Sequence, residues 1–228
     1  MGILISALSI SSGTLLGGMF KSRIKLNNFA ILGIAIMIIS LVGFLENILS
    51  VQELALKSND LLVVIFALIA GTLIGDIFQF DTRLSKLSEL GGNGFSSLID
   101  AAIFFGVGGM QICGPIMLAT TGDNTQLILK SAIDFPFALM FGISYGKRTA
   151  LSAIPVAIGQ FVIFAISNLA SNFLDANIIK QICAIGYIIL FFSGFNLMCK
   201  KNHKINNINM LIGIGVIILY NIIQKLWR

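Results

Sequence analysis

Charge is scarce in this chain. Only 11% of its 228 residues are charged, whereas a soluble domain carries about 25%. Hydrophobic residues make up 57% of the sequence, and the mean hydropathy is +0.96. This composition excludes a soluble globular protein and indicates an integral membrane protein whose main partner is the lipid bilayer. We expect residues 1–228 to form a single membrane domain, since no loop is long enough to fold alone.

Signatures of soluble enzymes are also lacking. The sequence has no Gly-rich phosphate loop with a Lys, no His–Glu zinc motif and no Ser elbow with a suitable His. The single His203 falls in a basic loop, where a solvated side chain is the common case. Cys113, Cys183 and Cys199 lack the even count and spacing of a disulfide framework, and we interpret them as packing residues. The sequence therefore predicts neither an enzyme nor a cofactor.

Eight apolar segments are long enough to cross a bilayer, which requires about 20 residues. They lie at approximately 3–20, 28–48, 61–80, 97–119, 126–146, 149–170, 177–198 and 207–226. The sequence thus predicts an all-α fold, a polytopic transmembrane helical bundle of about eight spans.

Ten of the fifteen basic residues follow the odd-numbered spans: Lys21, Arg23, Lys25, Arg83, Lys86, Lys147, Arg148, Lys200, Lys201 and Lys204. By the positive-inside rule this side is cytoplasmic, so both termini should lie outside. Acidic residues are near the other side: Glu46, Glu53, Asp60, Asp123 and Asp175. The basic residues form no stripe with interleaved aromatics, so nucleic acid is not an expected partner.

The first and third spans contain two similar eight-residue segments, an internal echo of one sequence in the other. Residues 13–20 read GTLLGGMF, and residues 71–78 read GTLIGDIF. A repeated helical hairpin would explain this match, since transporters often contain internal or inverted repeats. Small residues four apart also let helices approach closely, and we favour this packing explanation. The same faces could support a dimer, so we also expect a homo-oligomer.

Asp134 is the leading candidate for a functional residue. It lies near the middle of the fifth span, with Lys130 one helical turn before it. A carboxylate costs roughly 2.5–3.5 kcal/mol at the centre of a spanning helix and is a functional candidate by default. Two interpretations stay open: Lys130 snorkels to the interface, leaving Asp134 for a proton, an ion or a solute, or the two side chains neutralise each other.

The fourth span combines glycines with a proline in the run GVGGMQICGP, residues 106–115. Pro115, which follows Gly114, cannot donate to the Gln111 carbonyl, and Pro136 similarly frees the carbonyl of Ala132. We therefore expect interrupted helices in spans four and five. These spans should form a hairpin with Gln111 and Asp134 at similar depth.

A polar lining around this hairpin is completed by residues of other spans. These are Gln160 and, in the first span, a set of hydroxyl side chains that includes Ser12 and Thr14. Carboxylate, amide and hydroxyl oxygens suit a small solute or a hard cation such as Na⁺. A protonatable Asp would also serve H⁺ coupling. The sequence does not identify a metal.

The chain resembles the bacterial membrane family known as domain of unknown function 554. The resemblance rests on FGVGGMQICG at 105–114, GDN at 122–124, KSAID at 130–134 and SAIPV at 152–156 with Gln160. It implies a multi-spanning protein of the bacterial cytoplasmic (inner) membrane, often described as a transporter. By position it adds Ser131 to the candidate site and Pro155 to the helix-breaking prolines.

These expectations lead to one main function. We expect a secondary transporter or ion-coupled permease for a small solute or ion, with a polar site at the bilayer midplane around Asp134. The alternatives are a membrane structural or assembly protein that packs against a partner, and an ion channel.

Overall fold

The computed structural model describes residues 1–20, 30–52, 55–58, 60–79, 92–106, 108–171, 173–199, 205 and 207–227. All eight basic residues that follow the first, third and seventh spans fall outside these ranges, as does His203. The orientation predicted from those charges therefore stays a prediction.

The described chain is almost entirely helical, as predicted. In chain order the elements are α1 (Gly2–Phe20), α2 (Ala30–Ile48), β1 (Leu49–Gln52), β2 (Ala55–Ser58), α3 (Leu61–Phe78), α4 (Gly92–Gly106), α5 (Gly109–Thr121), α6 (Thr125–Tyr145), a 3₁₀ helix (Lys147–Ser152) leading into α7 (Ala153–Leu169), α8 (Ala176–Met198), and a 3₁₀ turn (Asn209–Leu211) leading into α9 (Ile212–Leu226). The antiparallel hairpin β1–β2, which the sequence analysis did not predict, joins α2 to α3. The fold is an all-α membrane bundle with this one short addition.

The helix lengths account for the predicted spans. Six of the described helices are long and apolar enough to cross a membrane, and α4 with α5 gives a seventh if that bent pair is one span. The remaining predicted span, 28–48, corresponds to the apolar helix α2, whose fully described portion Gly33–Ile48 is shorter. Large apolar side chains of α1, α3 and α7 are exposed on the outside of the bundle, as expected for surfaces that face lipid.

Glycine contacts hold the bundle together, as the packing explanation of the echo predicts. A Cβ at Gly17 of α1 would overlap the carbonyl oxygen of Leu139 in α6. In the second copy of the echo, a Cβ at Gly75 of α3 would lie 2.6 Å from the Cβ of Asn209, just before α9. Both copies are thus used for internal helix contacts, where small residues permit close backbone approach. The helix α8 lies at the centre, packed against α2, α5 and α9.

The interruption in the fourth span lies earlier than predicted. The axes of α4 and α5 differ by 53° across a break between Gly106 and Gly109. At this point a Cβ on Gly109 would lie 2.8 Å from the backbone nitrogen of Tyr187, so α5 can begin beside α8 only with glycine at that position. Glycine also carries the largest entropic cost in a helix interior, which favours a break here.

The four residues predicted to break helices were assigned wrongly. Gly114 and Pro115 lie inside α5, Pro136 lies inside α6, and Pro155 lies in the first turn of α7. Proline is favoured near the start of an α-helix, where its fixed φ suits the helical backbone. At Pro115 and Pro136 the helix continues, and only the single bond that the proline cannot donate is lost.

The interpretation of the cysteines was also wrong for two of the three. Cys113 of α5 and Cys183 of α8 form a disulfide, with their Cα atoms 5.4 Å apart. Both residues are buried, and Met110 and Tyr187 pack around them. Cys199, at the end of α8, is a free thiol. The disulfide therefore ties the half-helix α5 to the central helix.

Candidate functional site

Lys130 and Asp134 form an ion pair inside the bundle. The Nζ of Lys130 donates to Oδ2 of Asp134, one helical turn further along α6. Only 4% of the Lys130 surface and 8% of the Asp134 surface are exposed. Of the two interpretations that the sequence left open, the structure shows the pair and not the snorkelling lysine.

The position of the pair follows from the helical repeat of α6. Lys130, Asp134, Phe137 and Phe141 recur every three or four residues and are buried, so they share the inward face of the helix. The outward face includes Ala132, which is exposed. Removing one partner from such a buried pair costs about 3–5 kcal/mol, because the other charge is left uncompensated.

A cavity of about 40 Å³ lies beside this pair. Its polar lining consists of Lys130, Asp134 and Gln111, so the predicted carboxylate and amide border the same cavity. Gly108, at the break between α4 and α5, also lines it. The apolar lining comes from α2, α4, α5, α6 and α8: Ile36, Ile39, Phe104, Phe105, Met110, Ile133, Phe137 and Leu190. A space of this size with several polar partners is large enough for a water molecule.

Gln111 also belongs to a buried amide network that joins three helices. Its Nε2 donates to the Val156 carbonyl of α7 at 3.0 Å, and its Oε1 accepts from Nε2 of Gln160 at 2.9 Å. The same Gln160 nitrogen donates to the hydroxyl of Ser6 in α1 at 3.2 Å. Since the Val156 carbonyl requires a donor, the orientation of both amides is fixed along this chain.

One acceptor in this network has no partner among the described residues. The Oε1 of Gln160 is completely buried and accepts no hydrogen bond. A buried polar atom of this kind costs about 1–3 kcal/mol unless a donor, a water molecule or a cation satisfies it. The amide network therefore ends in an oxygen that is free to act as a ligand.

Four other predicted site residues lie elsewhere. Ser131 and Thr14 are buried, but each hydroxyl donates to a carbonyl of its own helix, those of Leu127 and Ile10. Ser12 and Ala132 are exposed on the outside of the bundle. Hydroxyl side chains commonly bond back within a helix, which is why their polarity alone did not place them in a cavity.

The aromatic side of the cavity was missed by the sequence analysis. Phe104 packs against Phe137 with ring centroids 5.6 Å apart, and against Phe141 at 5.1 Å. Periodicity along α6 could have placed Phe137 beside Asp134, because the two are three residues apart. No sequence signal joined Phe104 to this face. Within the described residues, no cluster of three or more His, Cys, Asp or Glu side chains could hold a metal ion.

Comparison with known proteins agrees with the architecture. The model of the family described as Protein of unknown function (DUF554) matches residues 1–222. The chain belongs to this family. The resemblance inferred from the motifs is therefore confirmed over nearly the whole sequence.

Two curated relatives cover most of the chain. The Uncharacterized membrane protein YdfK of Bacillus subtilis (strain 168) is 24% identical over 212 residues, which are 91% of this chain and 90% of the relative. The Uncharacterized protein YqgA of Escherichia coli (strain K12) is 24% identical over 228 residues, with 92% of each chain covered. No solved structure matches the chain. The family and the first relative support a membrane protein of this size.

Proposed function

We propose that this DUF554 protein is a secondary transporter or ion-coupled permease for a small solute or ion. The observation that carries the proposal is the buried Lys130–Asp134 pair beside a cavity at the break between α4 and α5. Irregular backbone and paired charges at membrane depth are typical of transport sites. The protein is proposed to move its substrate without covalent chemistry and without a cofactor.

In this proposal the ion pair is the resting state of the site. Lys130 neutralises Asp134 until a proton, a Na⁺ ion or a charged group of the solute replaces one partner. Such replacement shifts the bundle between two conformations only if the ligand binds one of them better. The small cavity then corresponds to the state without solute, and a larger opening is needed for passage.

The amide network supplies the uncharged ligands of the site. Gln111 borders the cavity and fixes Gln160, whose Oε1 lacks a donor. Amide and backbone oxygens suit a dehydrated Na⁺ ion or a donor group of a solute. The aromatic side of the cavity would cover the apolar part of such a solute.

We place this activity in the bacterial cytoplasmic membrane with both termini outside. The helices α1 and α6 run in the same direction, as the first and fifth spans must in this arrangement: Gly2 lies beside Asn124 at one end of the bundle and Gly18 beside Lys147 at the other. The basic side would then be cytoplasmic by the positive-inside rule. A homo-oligomer would form through faces other than the glycine contacts used inside the bundle.

A second candidate function is a structural or assembly role. The closed contact between Lys130 and Asp134 favours it, because a fully neutralised pair requires no ligand. Under this alternative the charges would specify how α6 packs, and their joint replacement by apolar residues would leave the biological activity intact.

The experiment uses K130M/D134L, in which both charges are replaced together. Wild-type and variant proteoliposomes are incubated with a defined mixture of amino acids, amines, organic acids, sugars and nucleosides under Na⁺ or H⁺ gradients. Their contents are then measured by mass spectrometry. We expect at least one solute to accumulate with the wild type and not with the folded variant. Equal contents under every gradient would favour the structural role.

A further inference from the structure

A second, larger polar space lies at one end of the bundle. It is formed where α3 and α8 begin and α9 ends, and it has a volume of about 490 Å³. We call it the polar chamber, and its lining includes Asp60, Asp175, Gln181, Tyr220, Asn221 and Lys225. Small-molecule sites are typically about 300–1,000 Å³, so the chamber is large enough for an organic solute.

The charges in the chamber do not cancel. Lys225 lies 3.2 Å from the Oδ2 of Asp175 and also donates to the Phe173 carbonyl at 3.1 Å. The backbone N–H of Ile178 donates to Asp175 and lowers the pKa of this carboxyl, which keeps it charged at neutral pH. Asp60 forms no ion pair with any Lys or Arg in the described part of the chain. Among the residues that line the chamber, Asp60 and Asp175 therefore carry two negative charges against the one positive charge of Lys225. The exposed Lys180 lies beside Asp60 in a neighbouring space, without forming an ion pair with it.

Asp60 is held in place by a chain of amides. Its Oδ2 accepts from Asn177 at 2.5 Å and from Gln181 at 2.8 Å. The side-chain oxygen of Gln181 in turn accepts from Asn221 at 2.8 Å. Gln181 and Asn221 are only 3% and 7% exposed, so this chain is anchored in the core. No described residue donates to the other oxygen of Asp60, which leaves it available to a ligand.

The backbone of Asp60 is also unusual. Its φ of 58° lies in the left-handed region, where residues other than glycine are uncommon. Strained backbone of this kind persists where the surrounding structure fixes it, and it clusters at binding sites. The carboxylate of this residue is the one that accepts from the amides of Asn177 and Gln181 near the start of α8.

We propose that the polar chamber binds a small organic cation of the primary-ammonium type. The carboxylate of Asp60, which has no ion-pair partner among the described residues, accepts the ammonium hydrogens, while the surrounding amides offer both donors and acceptors. The ring of Tyr220, which is partly exposed in the lining, provides a surface of the kind that attracts cations. This site is separate from the Lys130–Asp134 cavity and does not depend on transport there.

The test measures binding of ethylammonium to the full chain in nanodiscs of zwitterionic lipid. Ethylammonium chloride replaces potassium chloride at constant ionic strength, and the thermal unfolding midpoint is followed as a function of concentration. Ethanol serves as the neutral probe of similar size. We expect saturable stabilisation by ethylammonium and none by ethanol. Absence of a saturable effect, or an equal effect of ethanol, would overturn the proposal.

Three variants test whether the stabilisation by ethylammonium arises from binding in the polar chamber. D60N removes the charge and keeps a residue that tolerates the left-handed backbone, and we expect binding about tenfold weaker, the size of one lost charge contact. K225Q removes the positive charge and should tighten binding by about threefold. E46Q removes an exposed carboxylate outside the chamber and should change nothing.

The opposite directions of D60N and K225Q keep the test independent of folding defects. Wild-type binding by D60N, or unchanged binding by K225Q, would each contradict the assignment. The K130M/D134L protein should bind ethylammonium normally even if it transports nothing. Loss of chamber binding in that variant would show that the two sites are one system and would refute their separation.

Discussion

The side-chain nitrogen of Gln160 donates a 2.9 Å hydrogen bond to the side-chain oxygen of Gln111, 49 residues away in sequence. This contact joins α7 to the half-helix α5 directly behind the cavity. It fixes the orientation of both amides, because Gln111 is simultaneously a donor to Val156. The two glutamines therefore act as one unit, and their replacement should show coupling.

Replacing Gln111 or Gln160 by Leu should each lower the free energy of unfolding by about 1–3 kcal/mol, since each leaves a buried partner unsatisfied. The double variant Q111L/Q160L should lose less than the sum of the two. Gln224 is exposed near the end of α9, and Q224L is the matched control, with a change within about 0.5 kcal/mol. Unfolding in bicelles, monitored by steric trapping, measures these free energies. Strict additivity would argue against the shared network.

The Lys130–Asp134 ion pair allows a second double-mutant cycle, again of the free energy of unfolding. K130M and D134L should each cost about 3–5 kcal/mol, because each leaves one buried charge without its partner. The double variant should be more stable than either single variant, since both charges are then removed together. The same unfolding assay tests this. A double variant that is less stable than both single variants would contradict a simple pair.

The close contact of α1 with α6 predicts a strong effect of one methyl group. In G17A the new Cβ would overlap the Leu139 carbonyl, so the helices must separate, at a cost of about 1–3 kcal/mol. G215A is the control, because nothing lies within 4 Å of a Cβ there. That variant should be stabilised by up to about 1 kcal/mol through the lower entropy cost of alanine. Equal effects of both changes would refute the interface.

The Cys113–Cys183 disulfide fixes the number of free thiols that a labelling reagent can reach. The sequence has three cysteines, and the structure pairs Cys113 with Cys183. After denaturation without reductant, maleimide should therefore label one thiol per chain, that of Cys199. After reduction by a thiol reagent it should label all three, as intact mass will show. Three labels before reduction would mean that the two helices are not covalently joined.

Some parts of the fold could be predicted because they depend on composition. Membrane helices require long apolar runs, so their positions are visible in the sequence without knowledge of their neighbours. The common helix face of Lys130 and Asp134 was visible as well, since residues four apart share a face, but the sequence left open whether the two side chains pair. The echo of Gly17 and Gly75 predicted close helix packing, although not which helix lies opposite each glycine.

Other parts depend on contacts between distant segments. The break before Gly109 is set by its approach to α8, which the sequence alone does not reveal. The Cys113–Cys183 bond spans 70 residues, and the link from Asp60 to Gln181 spans 121. Local patterns favoured Pro115 as the break because a proline removes a hydrogen bond, but one lost bond did not end the helix.

The most direct test of the proposed transport site is whether water reaches the Lys130–Asp134 cavity. Ile133 lines that cavity, whereas Ile185 lies in the closed core, so I133C and I185C form a matched pair in a C199S background. A membrane-impermeant methanethiosulfonate reagent is applied to intact spheroplasts and to inverted vesicles. A transport site predicts that I133C reacts from at least one side while I185C does not. If I133C is as unreactive as I185C from both sides, the cavity is closed to water, which contradicts a transport site there.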